Sequence, residues 1–290
     1  MKNLRFLIPV MMISSLIFTS SCEKDDQVCY PGTITKNDTI FVGKEAPDYS
    51  ISFNGDQQNL KVPVKETGLG LMNMATDYTV ELWIKPDLDS TNHNKTIMRK
   101  WGQFYMKFTN STDPDDSGRG RSGTNMLHIN IDAAAAPGGF YTITTQKNVL
   151  VPGDWNHIAV INNSVDNTFK IFVNGVDVTI ATANYGNNGE AITLKEDTNG
   201  STNLYVGYGG SGTQPKAQYD DVRLLNVALS IDDLETSDVT KSEYVTDLTT
   251  AVLLKFDEGK GDETLDVVSN KKFTFFNKSD PKVDMAWVEL

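Results

Sequence analysis

Apolar and polar positions alternate along much of this chain with the period of two that marks a half-buried strand. In Tyr78–Lys85 the residues Tyr78, Val80, Leu82 and Ile84 take one side, and Thr79, Glu81, Trp83 and Lys85 the other. Gln103–Phe108, Met126–Ile131 and Phe140–Thr145 read the same way, and Tyr49–Phe53 is a β-rich run closed by the turn pair Asn54-Gly55. Trp155–Ile161 is more continuously apolar, as a central strand requires. The clearest hairpin joins Thr168–Val173 to Val176–Ala181 through Asn174-Gly175, a pair that tolerates positive φ at both central positions and so favours a type I′ turn. Further strands are expected at Asn203–Tyr208, Tyr219–Leu225, Ala251–Phe256, Lys272–Phe276 and Met285–Leu290, with a short one around Thr39–Val42. One short helix is expected where Ser230 caps a turn reaching Asp233 and Leu234. About a dozen strands separated by Gly- and Asn-rich turns, with almost no helix, define an all-β sandwich or barrel.

The first residues break this pattern. Lys2 and Arg5 precede an apolar stretch from Phe6 to Phe18, then small residues and Cys22. Roughly 13 apolar residues are too few to span a bilayer but suit the central part of a signal peptide. Thr19-Ser20-Ser21-Cys22 resembles the lipobox of bacterial lipoproteins, with Thr19 where Leu is commoner. That resemblance implies a signal peptide over residues 1–21 and lipidation of Cys22. The residues that follow, Glu23-Lys24-Asp25-Asp26, are similar to the signal that sends some Gram-negative lipoproteins to the outer face of the outer membrane. Residues 22–48 are polar and punctuated by Pro31, Gly32 and Pro47, which predicts a tether carrying a sandwich domain over 49–290.

Charge and cysteine usage narrow the partners. With Cys22 lipidated, Cys29 has no intramolecular partner, so neither a disulfide framework nor a thiol metal site can form. A formal net charge of −12 argues against nucleic acid and polyanionic glycans, which need basic patches. Neutral sugars and cations fit it better.

Five segments resemble the laminin-G-like branch of the concanavalin A-like jelly rolls. They are Ile51–Asp56, Tyr78–Pro86, Trp155–Val160 with the hairpin Lys170–Gly175, Tyr219–Ser230, and Leu254–Gly259, in the family's order. The resemblance implies a two-sheet antiparallel jelly-roll sandwich. Lectins, adhesion modules and glycosidases all use that architecture, so fold alone assigns no function.

Retaining glycosidases need two carboxylates about 5 Å apart, and the enzymes of this fold carry them on a Glu-x-Asp-x-x-Glu strand. No such strand is present: Glu190, Glu196 and Asp197 sit in a Gly- and Asn-rich loop, and Glu263 and Asp266 are three apart. His93 falls in a polar loop, while His128 and His157 stand alone within strands. Gly207-Tyr208-Gly209-Gly210-Ser211-Gly212 spells G-x-G-x-x-G, but Pro215 and a strand follow where a dinucleotide site needs a helix. Calcium is the expected cofactor. By resemblance Asp220 joins the loop after the first strand, with Asn54 and Asp56 adding oxygens. Asp113–Gly118 has the early spacing of an EF-hand loop, with Thr124 in place of its last ligand. For a sugar, Trp101, Tyr185 and Tyr208 stand beside Gly- or Asn-rich loops and are the candidate stacking aromatics. These features predict a surface lipoprotein binding carbohydrate without catalysis. A protein-binding adhesin or a structural component of a surface complex is the alternative, and a glycosidase with an unrecognised acid pair a third.

Overall fold

The computed structural model describes residues 48–55, 58–87, 95–100, 102–111, 123–133, 136, 139–181, 188–196, 203–207, 215–234, 244, 246–276 and 285–290. Cys22, Cys29 and the expected strand at Thr39–Val42 lie outside them.

Two antiparallel sheets face each other, as the jelly-roll reading requires. The front sheet centres on β3 (Tyr78–Pro86), flanked by β8 (Asn156–Asn163) and β13 (Lys216–Leu225). Beyond β8 come β9 (Thr168–Val173) and the short β10 (Val176–Asp177). On the other side β13 pairs first with β1 (Tyr49–Asn54) and then, past a bulge, with β14 (Thr250–Leu254). β17 (Ala286–Glu289) pairs with β1 at the edge.

The back sheet runs β2 (Asn59–Val62), β12 (Leu204–Val206), β4 (Thr96–Lys100), β5 (Phe104–Ser111), β6 (Gly123–Asp132), β7 (Phe140–Thr145) and β11 (Thr179–Ala181). β16 (Lys271–Phe276) pairs with β2 of the back sheet and, through β15 (Glu263–Asp266), reaches β14 of the front one. Between the sheets lies one apolar cluster drawn from alternate residues of both, including Ile51, Val80, Leu82, Phe104, Met106, Ile129, Val206 and Tyr219. Burial of these side chains is the main force holding the layers together.

Most expected strands form within a residue or two of their predicted ends. Asn174 and Gly175 have φ of 50° and 75°, as a type I′ turn demands. Three departures are informative. The arm after that turn is not one strand, because it breaks at Val178 and passes from β10 in the front sheet to β11 in the back one. The expected helix is a single 3-10 turn, Ile231–Asp233, and Ser230 Oγ donates to the Asp233 carboxylate at 2.7 Å rather than capping a backbone N–H. β2, β4 and β15 had no counterpart in the sequence reading.

Candidate functional site

The outward face of the back sheet carries the most organised set of polar side chains. Since Leu60, Leu204, Met98, Phe104, Met106, Ile129 and Ile143 point to the core, the intervening residues point away from it. Register then fixes which of them are neighbours. Lys61 on β2 stands opposite Tyr205 on β12, Tyr205 opposite Arg99 on β4, and Arg99 opposite Tyr105 on β5. Tyr105 stands opposite Asn130 on β6, and Asn130 opposite Thr142 on β7. Six strands thus contribute a continuous row alternating cation, aromatic, cation, aromatic, then amide and hydroxyl. At about 4.8 Å per strand the row spans roughly 24 Å. One step along the strands, Lys107 and His128 are opposed in the same way.

The side chains of this row hold one another in place. The Arg99 guanidinium lies 4.2 Å from the centre of the Tyr105 ring, and Lys107 Nζ lies 5.6 Å from the same centre, both within cation–π range. Asn130 Oδ1 accepts from Thr142 Oγ1 at 2.9 Å and lies 2.7 Å from His128 Nε2. An amide oxygen only accepts, so His128 carries its proton on Nε2, and the amide NH2 is the donor group of the Asn130 side chain. Exposure is graded: Lys61 is exposed, Tyr205, Tyr105, Lys107 and Asn130 are half-buried, and Arg99 is 4% exposed. Burial raises the Tyr105 pKa, with Arg99 opposing and Asp132 adding to the rise. Burial likewise raises that of Asp132, opposed by Lys195 and Arg99.

The opposite face of the molecule is built differently. Described parts of the segment from Asn226 to Thr249 fold back over the outward face of the front sheet. Leu229 N donates to Thr79 Oγ1 at 3.0 Å, and Thr79 Oγ1 donates to Val227 O at 2.8 Å. Leu229 and Leu234 sit on Ile161 and Phe172, and Tyr244 sits with Trp83 and Leu253. Beneath Tyr244, Arg223 donates to Glu81 Oε2 through Nε at 2.8 Å and also through Nη2. His157 Nε2 lies 3.4 Å from Glu81 Oε1 and 3.2 Å from the Tyr244 hydroxyl. The Tyr244 ring covers the Arg223 guanidinium at 4.3 Å. Burial raises the Tyr244 pKa, and the charges of Glu81, Asp221 and Asp220 add to the rise while Arg223 opposes it.

Only some of the sequence-derived site residues can be placed. Trp101, Tyr185, Tyr208, Asp56, Cys22, His93 and the Asp113–Gly118 loop lie outside the described residues. Asp220 and Asn54, expected to share a calcium ion, are not brought together. Asn54 stands opposite Lys216 in the β1–β13 ladder, four residues from Asp220 and so about 13 Å away along the strand. Calcium–oxygen bonds are about 2.4 Å long, so these two cannot close on one ion in this arrangement. Asp220 instead faces Trp83 on the outer side of the front sheet and is fully buried. Among the described residues no group of three or more His, Cys, Asp or Glu is arranged to hold a metal ion. Asp266 has a structural task, accepting from Leu253 N at 2.9 Å and from Ser269 Oγ at 2.6 Å.

The aromatics of the back-sheet row, Tyr105 and Tyr205, lie within strands rather than beside Gly- or Asn-rich loops. Strand alternation holds the signal: with Phe104, Met106 and Phe108 inward, Tyr105 and Lys107 must be outward, and with Leu204 and Val206 inward, so must Tyr205.

A two-sheet antiparallel jelly roll with this strand order is a concanavalin A-like sandwich. The chain belongs to the concanavalin A-like lectin/glucanases superfamily, which its residues 53–235 match. Among solved structures it is similar to a Bacteroides ovatus protein proposed to bind carbohydrate, with TM-score 0.54 and 19% identity over 84% of this chain. This chain spans 60% of that protein's length. It is also similar to the CBM40 module of a Ruminococcus gnavus IT-sialidase, bound to α2,3-sialyllactose (TM-score 0.42, 15% identity, 64% of this chain and 94% of that one). A third similarity is to domain 4 of AbnA, a Geobacillus stearothermophilus extracellular arabinanase, in complex with arabinotriose (TM-score 0.40, 20% identity, 63% of this chain and 73% of that one). None of the curated proteins compared matches the chain.

Proposed function

We propose that this protein is a surface lipoprotein whose sandwich captures carbohydrate without cleaving it. The observation that carries the reading is the row Lys61, Tyr205, Arg99, Tyr105, Asn130 and Thr142 across the back sheet. Half-buried tyrosine rings offer flat apolar faces to sugar C–H groups, and the amide and cations between them supply hydrogen-bond donors for hydroxyls. A long open row suits an extended chain better than a single sugar. Membership of a superfamily rich in lectins supports the same conclusion.

Binding without catalysis is favoured by where the clustered acids lie. Glu81, Asp220 and Asp221 are each 0% exposed beneath the Tyr244 segment, with Arg223 bonded to Glu81. Carboxylates sealed in this way cannot flank a glycosidic bond. The lipid anchor on Cys22 and an outer-membrane address belong to the proposal through the sequence features that motivate them, and calcium stays in it only as an ion that Asp220 and Asn54 do not share.

A glycan array probed with the full chain, with calcium and again with a chelator, tests the reading. Binding to one family of saccharides is expected. Chelator-insensitive binding would remove calcium from the account, and no binding by a folded protein would replace the carbohydrate reading with a protein partner.

A further inference from the structure

The outward face of the front sheet is covered along only part of its length. Ser50 on β1, Asp220 on β13 and Trp83 on β3 are all buried there, with Tyr244 packed on Trp83. Two residues further along the same strands, and so on the same face, stand Ser52, Gln218 and Lys85, each partly exposed. Register sets these three side by side, because Ser52 is opposite Gln218 and Gln218 is opposite Lys85. At about 4.8 Å per strand they span roughly 10 Å.

The three side chains open into a cavity of about 470 Å3, whose lining also includes Pro86, Asp87 and Gly153. Its walls are tied down by backbone hydrogen bonds. Gly153 N donates to Pro86 O at 2.9 Å, and Asp87 N donates to Lys216 O at 3.0 Å. The side chains of Ser52, Gln218, Lys85 and Asp87 make no hydrogen bond or ion pair among the described residues. Lys216, also in the lining, has interactions of its own and is not counted with them.

These four groups are balanced in charge and in hydrogen-bonding sense. Lys85 only donates, Asp87 only accepts, and Ser52 and Gln218 do both. A sugar hydroxyl donates and accepts, so a neutral sugar can use all four, whereas an anion would meet the Asp87 carboxylate and a cation the Lys85 ammonium. The half-buried Trp155 adds an aromatic flank, since it stands beside Lys85 one step beyond the Ile84–Asn156 pair. The volume lies within the range of small-ligand sites. Resting on the carbohydrate reading for the class of ligand, we propose that this cavity is a second saccharide site, taking one or two neutral sugar units. It opens on the opposite side of the sandwich from the back-sheet row. A short glycan therefore cannot reach both, and one domain can hold two glycan chains.

The test titrates the full chain, by ligand-observed NMR, with glucose, galactose, mannose, xylose, arabinose, rhamnose, N-acetylglucosamine, maltose, cellobiose and lactose. The variants Gln218→Ala, Lys85→Met and Tyr105→Ala are titrated beside it, and thermal melting verifies that each is folded. At least one of these sugars should bind, with a Kd about millimolar. Its affinity should fall about tenfold or more in Gln218→Ala and in Lys85→Met and stay at the wild-type value in Tyr105→Ala. If none of these sugars binds, or binding survives both cavity variants, the second site is overturned. Extended glycans on the array that bind and depend on Tyr105 would then leave the carbohydrate reading standing. If no saccharide on the array binds either, that reading has failed and this inference with it.

Discussion

Arg223 on β13 and Glu81 on β3 stand directly opposite each other on the outer face of the front sheet, joined by Arg223 Nε donating to Glu81 Oε2 at 2.8 Å. They meet because of a bulge. Asp220 pairs with Trp83 and Arg223 with Glu81, so β13 spends three residues where β3 spends two. Asp221, at φ 44°, absorbs the extra residue and returns Arg223 to the outer face. Removing one partner of a buried ion pair strands the other charge. Arg223→Met should therefore lower stability by about 3–5 kcal/mol. The double variant Glu81→Leu/Arg223→Met should recover much of that loss, and urea denaturation of the three proteins decides it.

Tyr244 closes this cluster from above, so its ring and its hydroxyl can be tested separately. Tyr244→Phe gives up the hydroxyl 3.2 Å from His157 Nε2, a loss of about 1 kcal/mol. Tyr244→Ala opens the cover over Trp83, Leu253 and Arg223 and should cost about 3–5 kcal/mol. Trp83 fluorescence in the second variant should shift to the red as water reaches the ring. An unshifted spectrum would show that the cover does not depend on Tyr244.

Gly207 ends β12, the strand that carries Tyr205 into the row. Its φ is +76°, and a Cβ there would sit 2.4 Å from Phe53 Cδ2 in the core. Gly207→Ala therefore adds a clash to backbone strain and should destabilise by more than about 1 kcal/mol. Thermal melting measures it.

Acid should weaken the fold through particular carboxylates. Hydrogen bonding from the Ser164 backbone N–H, with its hydroxyl and that of Thr76, outweighs slight burial and holds the Asp77 pKa below its ordinary value. A carboxylate depressed in the folded state stabilises it above the unfolded pKa, and the contribution is lost as pH falls through the folded one. Asp77→Asn should thus lower the melting temperature at neutral pH, and the gap to the wild type should close below about pH 4. A gap independent of pH would assign the effect to packing.

Strands were legible wherever apolar and polar side chains alternate, as in Tyr78–Pro86, where Thr79 and Glu81 keep the period of two although both are buried under the covering segment. β4 was not, because Thr96–Lys100 sets two apolar residues side by side and then two basic ones, so no alternation shows. Its Lys100 is tolerated inside because Nζ donates to Gln103 Oε1, while Gln103 Nε2 donates to Lys195 O at 2.7 Å. Short pairing segments such as Asn59–Val62 are too brief for any periodicity to show. The row itself is a product of register. Lys61, Tyr205, Arg99 and Tyr105 come from four chain segments, and only the ladder makes them neighbours. The loss of Asn54 from the neighbourhood of Asp220 has the same origin.

The most direct test of the central claim is the affinity of Tyr105→Ala for whichever extended saccharide the wild-type protein binds, measured beside the surface control Val165→Ser. Tyr105 sits at the middle of the row with Arg99 on its ring, so its removal should weaken binding about tenfold or more. Val165, 88% exposed and away from the row, should leave binding unchanged. Wild-type affinity in a folded Tyr105→Ala protein would contradict the account and move the binding site off the back sheet.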